Sequence, residues 1–183
     1  MSTLYVDTIT EKTSGNGVHI ADLVPAAGSV VQVVSATKTD KQSTTSSTAV
    51  DITGLSVSIT PTSASSKMLV RCDINYGGYL NVYIAFFVKR DAANMVLSTA
   101  ATGNQINATF SGGCDNNNHQ FKMNGVSHSY LDSPATTSQI TYKVQFASTS
   151  GGVVATINAP QNTDNFSYII GGTSTITVME IAQ

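Results

Sequence analysis

Alternation of apolar and polar side chains recurs along most of the chain, and this pattern predicts β-strands with one buried face. Residues 55–60 and 140–146 alternate without exception, and residues 67–74 do so with only Leu69 out of place. Residues 82–88 are apolar on both faces, which predicts a central strand that is covered on both sides. No window keeps apolar residues at helical spacing, so the pattern predicts an all-β chain.

Glycine pairs and polar clusters separate the predicted strands. The pairs at 77–78, 112–113, 151–152 and 171–172 are interpreted as turns, because glycine accepts the positive φ angles that tight connections need. Residues 37–48 are rich in Ser and Thr, which predicts an exposed loop. Eight to ten strands joined by such turns favour an antiparallel β-sandwich with a jelly-roll-like topology.

The first 28 residues follow a different pattern and predict an extended arm, whereas residues 29–183 predict the globular head. Two short apolar–polar segments flank a glycine-containing corner at residues 13–17. The arm is too short to bury its own apolar side chains, so we expect them to pack on the head, on sister chains or on another protein. The candidate residues for docking or trimer contact are Leu4, Val6, Ile9, Val18, His19, Ile20 and Leu23.

Charged residues make up only 11% of the 183 residues, against roughly 25% in typical soluble proteins, and the net charge is −2. The nine Lys and Arg residues are scattered, which argues against a nucleic-acid-binding stripe. No apolar run is long enough for a membrane helix, and the N-terminus lacks the features of a secretory signal. We therefore expect no nucleic-acid partner, no membrane insertion, and a protein that is made in the cytoplasm.

The sequence carries none of the common catalytic motifs for nucleophilic, zinc-dependent, phosphate-binding or dinucleotide-binding enzymes. The two glutamates, Glu11 and Glu180, lie at opposite ends of the chain, and no pair of aspartates is singled out as a glycosidase would require. Cys72 and Cys114 lack metal-ligand spacing; Cys72 is predicted in the core, and a disulfide between the two is left open. His128 is predicted to lie on a strand and to be held by a hydrogen bond. We expect no enzyme activity, cofactor or resident metal.

Three tyrosines cluster around the glycine pair at 77–78, beside two asparagines: Tyr76, Tyr79 and Tyr83, with Asn75 and Asn81. This combination suits a sugar- or protein-binding surface, because rigid amphipathic rings lose little entropy on binding. The alternative is that the rings cover a sheet end or a seam between chains. A second polar tip follows Cys114 and is interpreted mainly as a turn, with a ligand contact or a metal loop as alternatives. The candidate receptor-contact residues are Asn75, Tyr76, Tyr79, Asn81, Asp115, Asn116, Asn117 and Asn118.

Three segments resemble proteins of a known class. Residues 6–20, with the sequence V-D-T-I-T-E-K-T-S-G-N-G-V-H-I, resemble a segment near the start of many fibre and appendage proteins of tailed phages. Residues 130–134 with 141–145, and the C-terminal residues 172–181, resemble the body of short virion proteins that are common in marine and environmental phages. The middle of the chain, residues 76–118, matches no pattern of this class.

The resemblance implies a homotrimeric virion protein whose arm docks on other virion proteins and whose head faces outward. It supplies no catalytic residues. The chain has no shaft, no coiled-coil heptads and no collagen-like repeat, so a short tail fibre that contacts a host surface glycan or protein fits its size better than a long fibre. The alternatives are a capsid decoration or head-fibre protein, then a tail adaptor, and lastly a carbohydrate-active enzyme.

Overall fold

The computed structural model describes residues 25–79, 81–114, 119–162 and 164–183. Within these ranges the chain forms eleven β-strands and one 3-10 turn, with no α-helix, so the all-β prediction is confirmed. None of the described residues forms a helix that is long and apolar enough to span a bilayer. The strands are β1 (Val30–Lys38), β2 (Gln42–Thr44), β3 (Val50–Ile59), β4 (Lys67–Gly78), β5 (Val82–Arg90), β6 (Ala93–Met95), β7 (Phe110–Cys114), β8 (Asn124–Asp132), β9 (Ile140–Ser148), β10 (Ala155–Ile157) and β11 (Ser174–Ile181), and the 3-10 turn is His119–Phe121.

The strands form two antiparallel sheets that pack face to face. Sheet I places β1, β11, β4 and β8 side by side, and sheet II places β3, β9, β5 and β7 side by side. If these eight long strands are counted in chain order, the sheets run 1-8-3-6 and 2-7-4-5, which is the strand order of a jelly roll. The short strands β10 and β2 extend sheet I beyond the end of β4, and β6 extends the edge of sheet II beside β5. The predicted jelly-roll sandwich is confirmed.

One apolar core fills the space between the sheets. Every second side chain of β4 and β9 enters it, as the alternation at 67–74 and 140–146 predicts. Tyr142, Phe86 and Phe146 are its largest fully buried side chains. Cys72 is 1% exposed, which confirms its predicted place in the core, and no disulfide joins it to Cys114. Burial, with a smaller contribution from the charge of Asp73, raises the pKa of the Cys72 thiol to about 12.

The strand registers give the sandwich two distinct ends. At the proximal end, Val30 and Lys67 both pair with Ile181, and the Gly28 N–H donates to the Ala182 carbonyl at 2.9 Å. At the distal end lie the β4–β5 connection, the β7–β8 connection and the long connection between β9 and β11. The chain therefore enters the head at the proximal end, opposite these three connections.

A buried carboxylate, that of Glu180, lies at the proximal end. Glu180 of β11 is 0% exposed and occupies a position where alternation would place an apolar side chain. Its Oε2 accepts a hydrogen bond from Gln32 Nε2 at 2.6 Å, and its Oε1 accepts from the Thr62 N–H at 2.8 Å and the Thr62 hydroxyl at 2.7 Å. Burial raises the pKa of Glu180, but the hydrogen bonds from Gln32, Ser66 and Thr62 outweigh it and lower the pKa to about 2. The ionised carboxylate on β11 is thus hydrogen-bonded both to β1, through Gln32, and to the β3–β4 connection, through Thr62.

Two of the glycine pairs that predict turns lie inside strands, so those two turn predictions are wrong. Gly77-Gly78 ends β4, and Gly112-Gly113 lies in β7. A Cβ on Gly78 would lie 2.1 Å from Val82 Cγ1, and a Cβ on Gly112 would lie 2.5 Å from the Tyr76 ring. Glycine is needed at these positions because neighbouring side chains occupy the space, not because the chain turns. The predicted loop at 37–48 likewise contains the short strand β2.

Candidate functional site

Two of the predicted receptor-contact residues have structural roles. Tyr76 is only 7% exposed; its ring centroid lies 5.9 Å from that of Phe86, and its hydroxyl accepts a hydrogen bond from the Gly113 N–H at 3.2 Å. This corrects the prediction for Tyr76, because the alternation of β4 directs its side chain into the core. Asn75 is half-buried, and its Nδ2 donates to the Thr173 carbonyl, which fastens β4 to the segment before β11.

Tyr79 and Asn81 lie in the β4–β5 connection at the distal end. Tyr79 is 44% exposed, while its N–H donates to the Val154 carbonyl at 3.1 Å and its carbonyl accepts from the Val82 N–H at 3.1 Å. Asn81 is exposed and has a φ of 59°, a left-handed conformation that asparagine tolerates. Its carbonyl accepts a hydrogen bond from the Ser150 hydroxyl at 2.9 Å. Both side chains are therefore exposed on a connection whose backbone is held in place.

The remaining predicted site residues lie outside the described residues. They are the second polar tip, Asp115, Asn116, Asn117 and Asn118, and the arm residues Leu4, Val6, Ile9, Val18, His19, Ile20 and Leu23. The polar tip connects Cys114 at the end of β7 to the 3-10 turn before β8. Both of these flanks belong to the distal end, the same end as Tyr79 and Asn81.

A groove that the sequence analysis does not predict opens on the outer face of sheet II. Its volume of about 390 Å³ lies in the range of about 300–1,000 Å³ that is typical of small-ligand sites. Its lining contains no acidic or basic side chain. We call it the Tyr83 groove, and it is lined by Tyr83, Ile84, Ala85, Asn104, Gln105, Ile106, Ala108, Ser111, Gly112 and Thr149.

The aromatic wall of the groove is Tyr83, whose side chain is 63% exposed. The Tyr83 carbonyl accepts hydrogen bonds from the Thr149 N–H at 2.8 Å and the Thr149 hydroxyl at 3.0 Å, and its N–H donates to the Ser150 hydroxyl at 3.2 Å. The ring lies over Gly113, where an added Cβ would be 3.3 Å from Tyr83 Cδ1. The prediction that this strand is covered on both sides is therefore wrong at Tyr83, although the neighbouring outward residue Ala85 is only 3% exposed.

The opposite wall is a compact loop between β6 and β7. The Ser98 N–H donates to the Ala108 carbonyl at 3.0 Å, so the two ends of the loop are joined. Near its tip, the Thr102 N–H donates to Gln105 Oε1 at 3.0 Å and the Gln105 N–H donates to the Thr102 carbonyl at 3.2 Å. Compact loops with joined ends are frequently functional. The length of this loop is the sequence signal that would have drawn attention to it.

A polar cluster inside the sandwich, centred on Asp132, has a structural role. Asp132 is 7% exposed, and one of its oxygens accepts from Arg90 Nη1 at 2.7 Å and from the Tyr142 hydroxyl at 2.6 Å.

His128 lies on β8 as predicted, but its ring stacks on Phe110 at 5.2 Å, and Nε2 has no hydrogen-bond partner among the described residues. Burial lowers the pKa of His128. Nowhere in the described ranges do three His, Cys, Asp or Glu side chains come together to hold a metal ion.

One apolar row crosses the outer face of sheet I. Its members are neighbours in register on four adjacent strands, and we call it the Val33 row: Val33, Met179, Leu69 and Leu131. Val33 and Leu131, at its two ends, are 53% and 51% exposed. The next row along the strands is polar and consists of Ser35, Thr177, Arg71 and Ser129. This face therefore combines an apolar strip near the proximal end with a hydroxyl-rich surface.

Comparison with known proteins finds similarity to solved structures only. No family model matches the chain, and no curated protein matches it. Among solved structures, the chain is similar to one described as the structure of infectious bursal disease virus, Gx strain, with a TM-score of 0.38 and 14% sequence identity. The match covers 84% of this chain, and the chain spans 43% of the length of that viral chain.

Proposed function

We propose that the chain is a non-enzymatic virion structural protein, a homotrimeric short tail fibre whose arm docks on the particle and whose head faces outward. The separation of the two ends of the sandwich carries this proposal. Residues 25–29 lead into the head at the proximal end, whereas Tyr79 and Asn81 are exposed at the distal end. An arm that docks on the particle at the proximal end leaves the distal end turned toward the host. The resemblance of residues 6–20 to phage appendage proteins supports the same orientation.

Within the trimer, we propose that further copies of this chain cover the Val33 row. Arms that associate bring residues 25–29 of three copies together, and the row begins three residues beyond Val30, where β1 starts. An exposed apolar strip beside polar rows is typical of a surface that another protein covers. Short hydroxyl side chains around the strip lose little rotamer entropy when a neighbouring copy packs against them.

The trimer is tested by light scattering of the full chain, which should give about three chain masses. Val33→Asp puts a charge into the strip and should shift the mass toward one chain. Ser56→Asp is the matched control, because it places the same charge on an exposed strand position of sheet II, away from the row, and should leave the mass unchanged. A native chain that is monomeric at micromolar concentration contradicts the trimer, and an unchanged mass for Val33→Asp contradicts the role of the row.

The place in the particle is tested by electron microscopy of virions that carry a tagged chain. Density on the tail supports the tail fibre, whereas density on the capsid favours the alternative of a decoration or head-fibre protein. Removal of residues 1–28 should leave a folded head that no longer joins the particle, because the strands begin at Val30. Incorporation of the truncated chain would show that the arm is not the docking element.

Contact with the host surface is tested at Tyr79. Tyr79→Ala should lower the adsorption of particles to host cells and should change the melting temperature by only a few degrees, because the side chain is 44% exposed. Thr137→Ala is the control, since Thr137 is exposed in the β8–β9 connection at the opposite, proximal end of the head. A variant that no longer assembles would place Tyr79 in a seam between chains, which is the opposing interpretation.

A further inference from the structure

We propose that the Tyr83 groove binds a neutral sugar ring, which stacks on Tyr83 and hydrogen-bonds to amide and hydroxyl groups of the groove. The source that we assign to this sugar, a glycan of the host surface, rests on the proposed function. Binding itself is a property of the chain in isolation, so it can be measured apart from the particle.

Tyr83 gives the groove an aromatic platform. Tyr83 exposes 63% of its side chain beside a groove, although most of its neighbours on sheet II are covered. Its backbone is held on both sides by Thr149 and Ser150, and its ring lies over a glycine. The apolar C–H face of a pyranose packs well on such a ring. An aromatic ring that is already held in place loses little freedom when a ligand stacks on it.

The groove also has a polar lining of amide and hydroxyl groups. Asn104 is exposed at the tip of the loop, and the Ser111 hydroxyl lies on the exposed face of β7. The side-chain oxygen Oε1 of Gln105 accepts a hydrogen bond from the Thr102 N–H at 3.0 Å, which restrains the orientation of the side-chain amide. Amides and hydroxyls offer both donors and acceptors, and so do the hydroxyls of a sugar. The groove therefore provides an apolar wall on one side and hydrogen-bonding groups on the other.

The lining of the groove contains no Asp, Glu, Lys, Arg or His. An anionic sugar would lose part of its hydration on entering the groove and would gain no ionic partner in return. A neutral hexose meets no such cost. We therefore assign the groove to neutral sugars rather than to sialic or uronic acids.

The expected affinity of one groove is low. The groove is open, its polar groups are few, and Ile106 is its main apolar side chain besides Tyr83. A dissociation constant on the order of 1 mM, which corresponds to roughly −4 kcal/mol, is reasonable for such a site. Three grooves on a trimer and several trimers on a particle would raise the effective affinity through avidity.

The test is a titration of the isotope-labelled full chain, followed by NMR chemical shifts. The probes are the methyl glycosides of glucose, galactose, mannose and N-acetylglucosamine, with glucuronic acid as the anionic probe. At least one neutral glycoside should shift resonances of Tyr83 and of residues 104–106, and glucuronic acid should bind more weakly. Tyr83→Ala should weaken binding about tenfold or more, whereas Tyr83→Phe keeps the stacking face and should stay within about threefold.

Two further variants separate the groove from the rest of the surface. Ser111→Val narrows the floor and removes its hydroxyl while it leaves Tyr83 in place, so it should also weaken binding. Tyr168→Ala is the matched control, because Tyr168 is 59% exposed but lies outside the groove, and it should bind as the native chain does.

Three results would overturn the proposal: no neutral glycoside binds, binding persists in Tyr83→Ala, or Tyr83→Ala changes the oligomeric mass, which would place the ring in a seam between chains. The outcomes for the groove and for the virion role are distinguishable. A chain found on the tail that binds no sugar leaves the proposed function standing, whereas Tyr83-dependent binding by a chain that is absent from virions overturns the proposed function alone.

Discussion

Replacement of Glu180 by glutamine should remove a pH-dependent part of the stability of the head. The Glu180 carboxylate is fully buried and accepts hydrogen bonds from Gln32 and from two donors of Thr62. These hydrogen bonds favour the ionised form in the folded state, whereas the unfolded chain provides only water. Glu180→Gln keeps the size of the side chain but removes its charge and its titration.

The magnitude follows from the two pKa values. The pKa of Glu180 is about 2 in the folded chain and 4.5 in an unperturbed glutamate. At about 1.4 kcal/mol for each pKa unit, ionisation contributes about 3 kcal/mol at neutral pH. Because the folded-state pKa is the lower one, this stabilisation is fully present above pH 4.5 and is lost as the pH falls toward 2. About 2 kcal/mol of it should be gone at pH 3.

Urea unfolding of both chains at fixed concentration, between pH 3 and pH 7, measures the effect. The native chain should be more stable than Glu180→Gln at pH 7. The difference between their free energies of unfolding should narrow by about 2 kcal/mol toward pH 3. Asp164→Asn removes the same charge from an exposed position and is the control for the change in net charge. A gap that stays constant with pH would refute the linkage between the Glu180 hydrogen bonds and the stability of the proximal end.

Two further substitutions test packing inside the sandwich, each by the denaturant midpoint. Gly112→Ala should cost about 1–3 kcal/mol, because its Cβ would lie 2.5 Å from the Tyr76 ring, whereas Gly125→Ala, with its nearest contact at 3.5 Å, should stay within about 0.5 kcal/mol. Asp132→Asn should cost about 1–3 kcal/mol, because it removes the charged acceptor of the buried Tyr142 hydroxyl. Equal midpoints for the two alanine variants would contradict the close approach at Gly112, and an unchanged midpoint for Asp132→Asn would contradict the importance of that hydrogen bond.

The fold was predictable because the two faces of strands such as β4 and β9 differ in polarity. In β4, the alternation from Met68 to Ile74 shows which side chains enter the core. A period of two residues is characteristic of a β-strand. The same period also assigns Tyr76 to the core, since it lies in phase with Ile74. The glycine pair that follows Tyr76 suggested a surface turn instead, and the structure shows that the period was the stronger signal.

The surface sites were harder to predict because each is assembled from distant segments. Leu69 is the single residue that breaks the alternation of β4, and in the structure it belongs to the Val33 row. The row takes one residue from each of four strands, and only the strand register brings them together. The Tyr83 groove depends on the same information, because its floor joins Ala85 of β5 to Ser111 of β7 and its outer wall is a loop. Composition and periodicity do not encode a register between strands that are distant in sequence.

The two outer faces of the sandwich allow self-association and ligand binding at the same time. The Val33 row lies on sheet I, and the Tyr83 groove lies on sheet II, so the core separates them. Copies that associate through sheet I therefore leave each groove accessible, which avidity requires. If association used sheet II instead, the trimer would bury the grooves and lose sugar binding. Val33→Asp should accordingly lower the binding of particles or multivalent glycans while it leaves the affinity of a single groove for a monosaccharide unchanged, and loss of both would place the groove in the subunit contact.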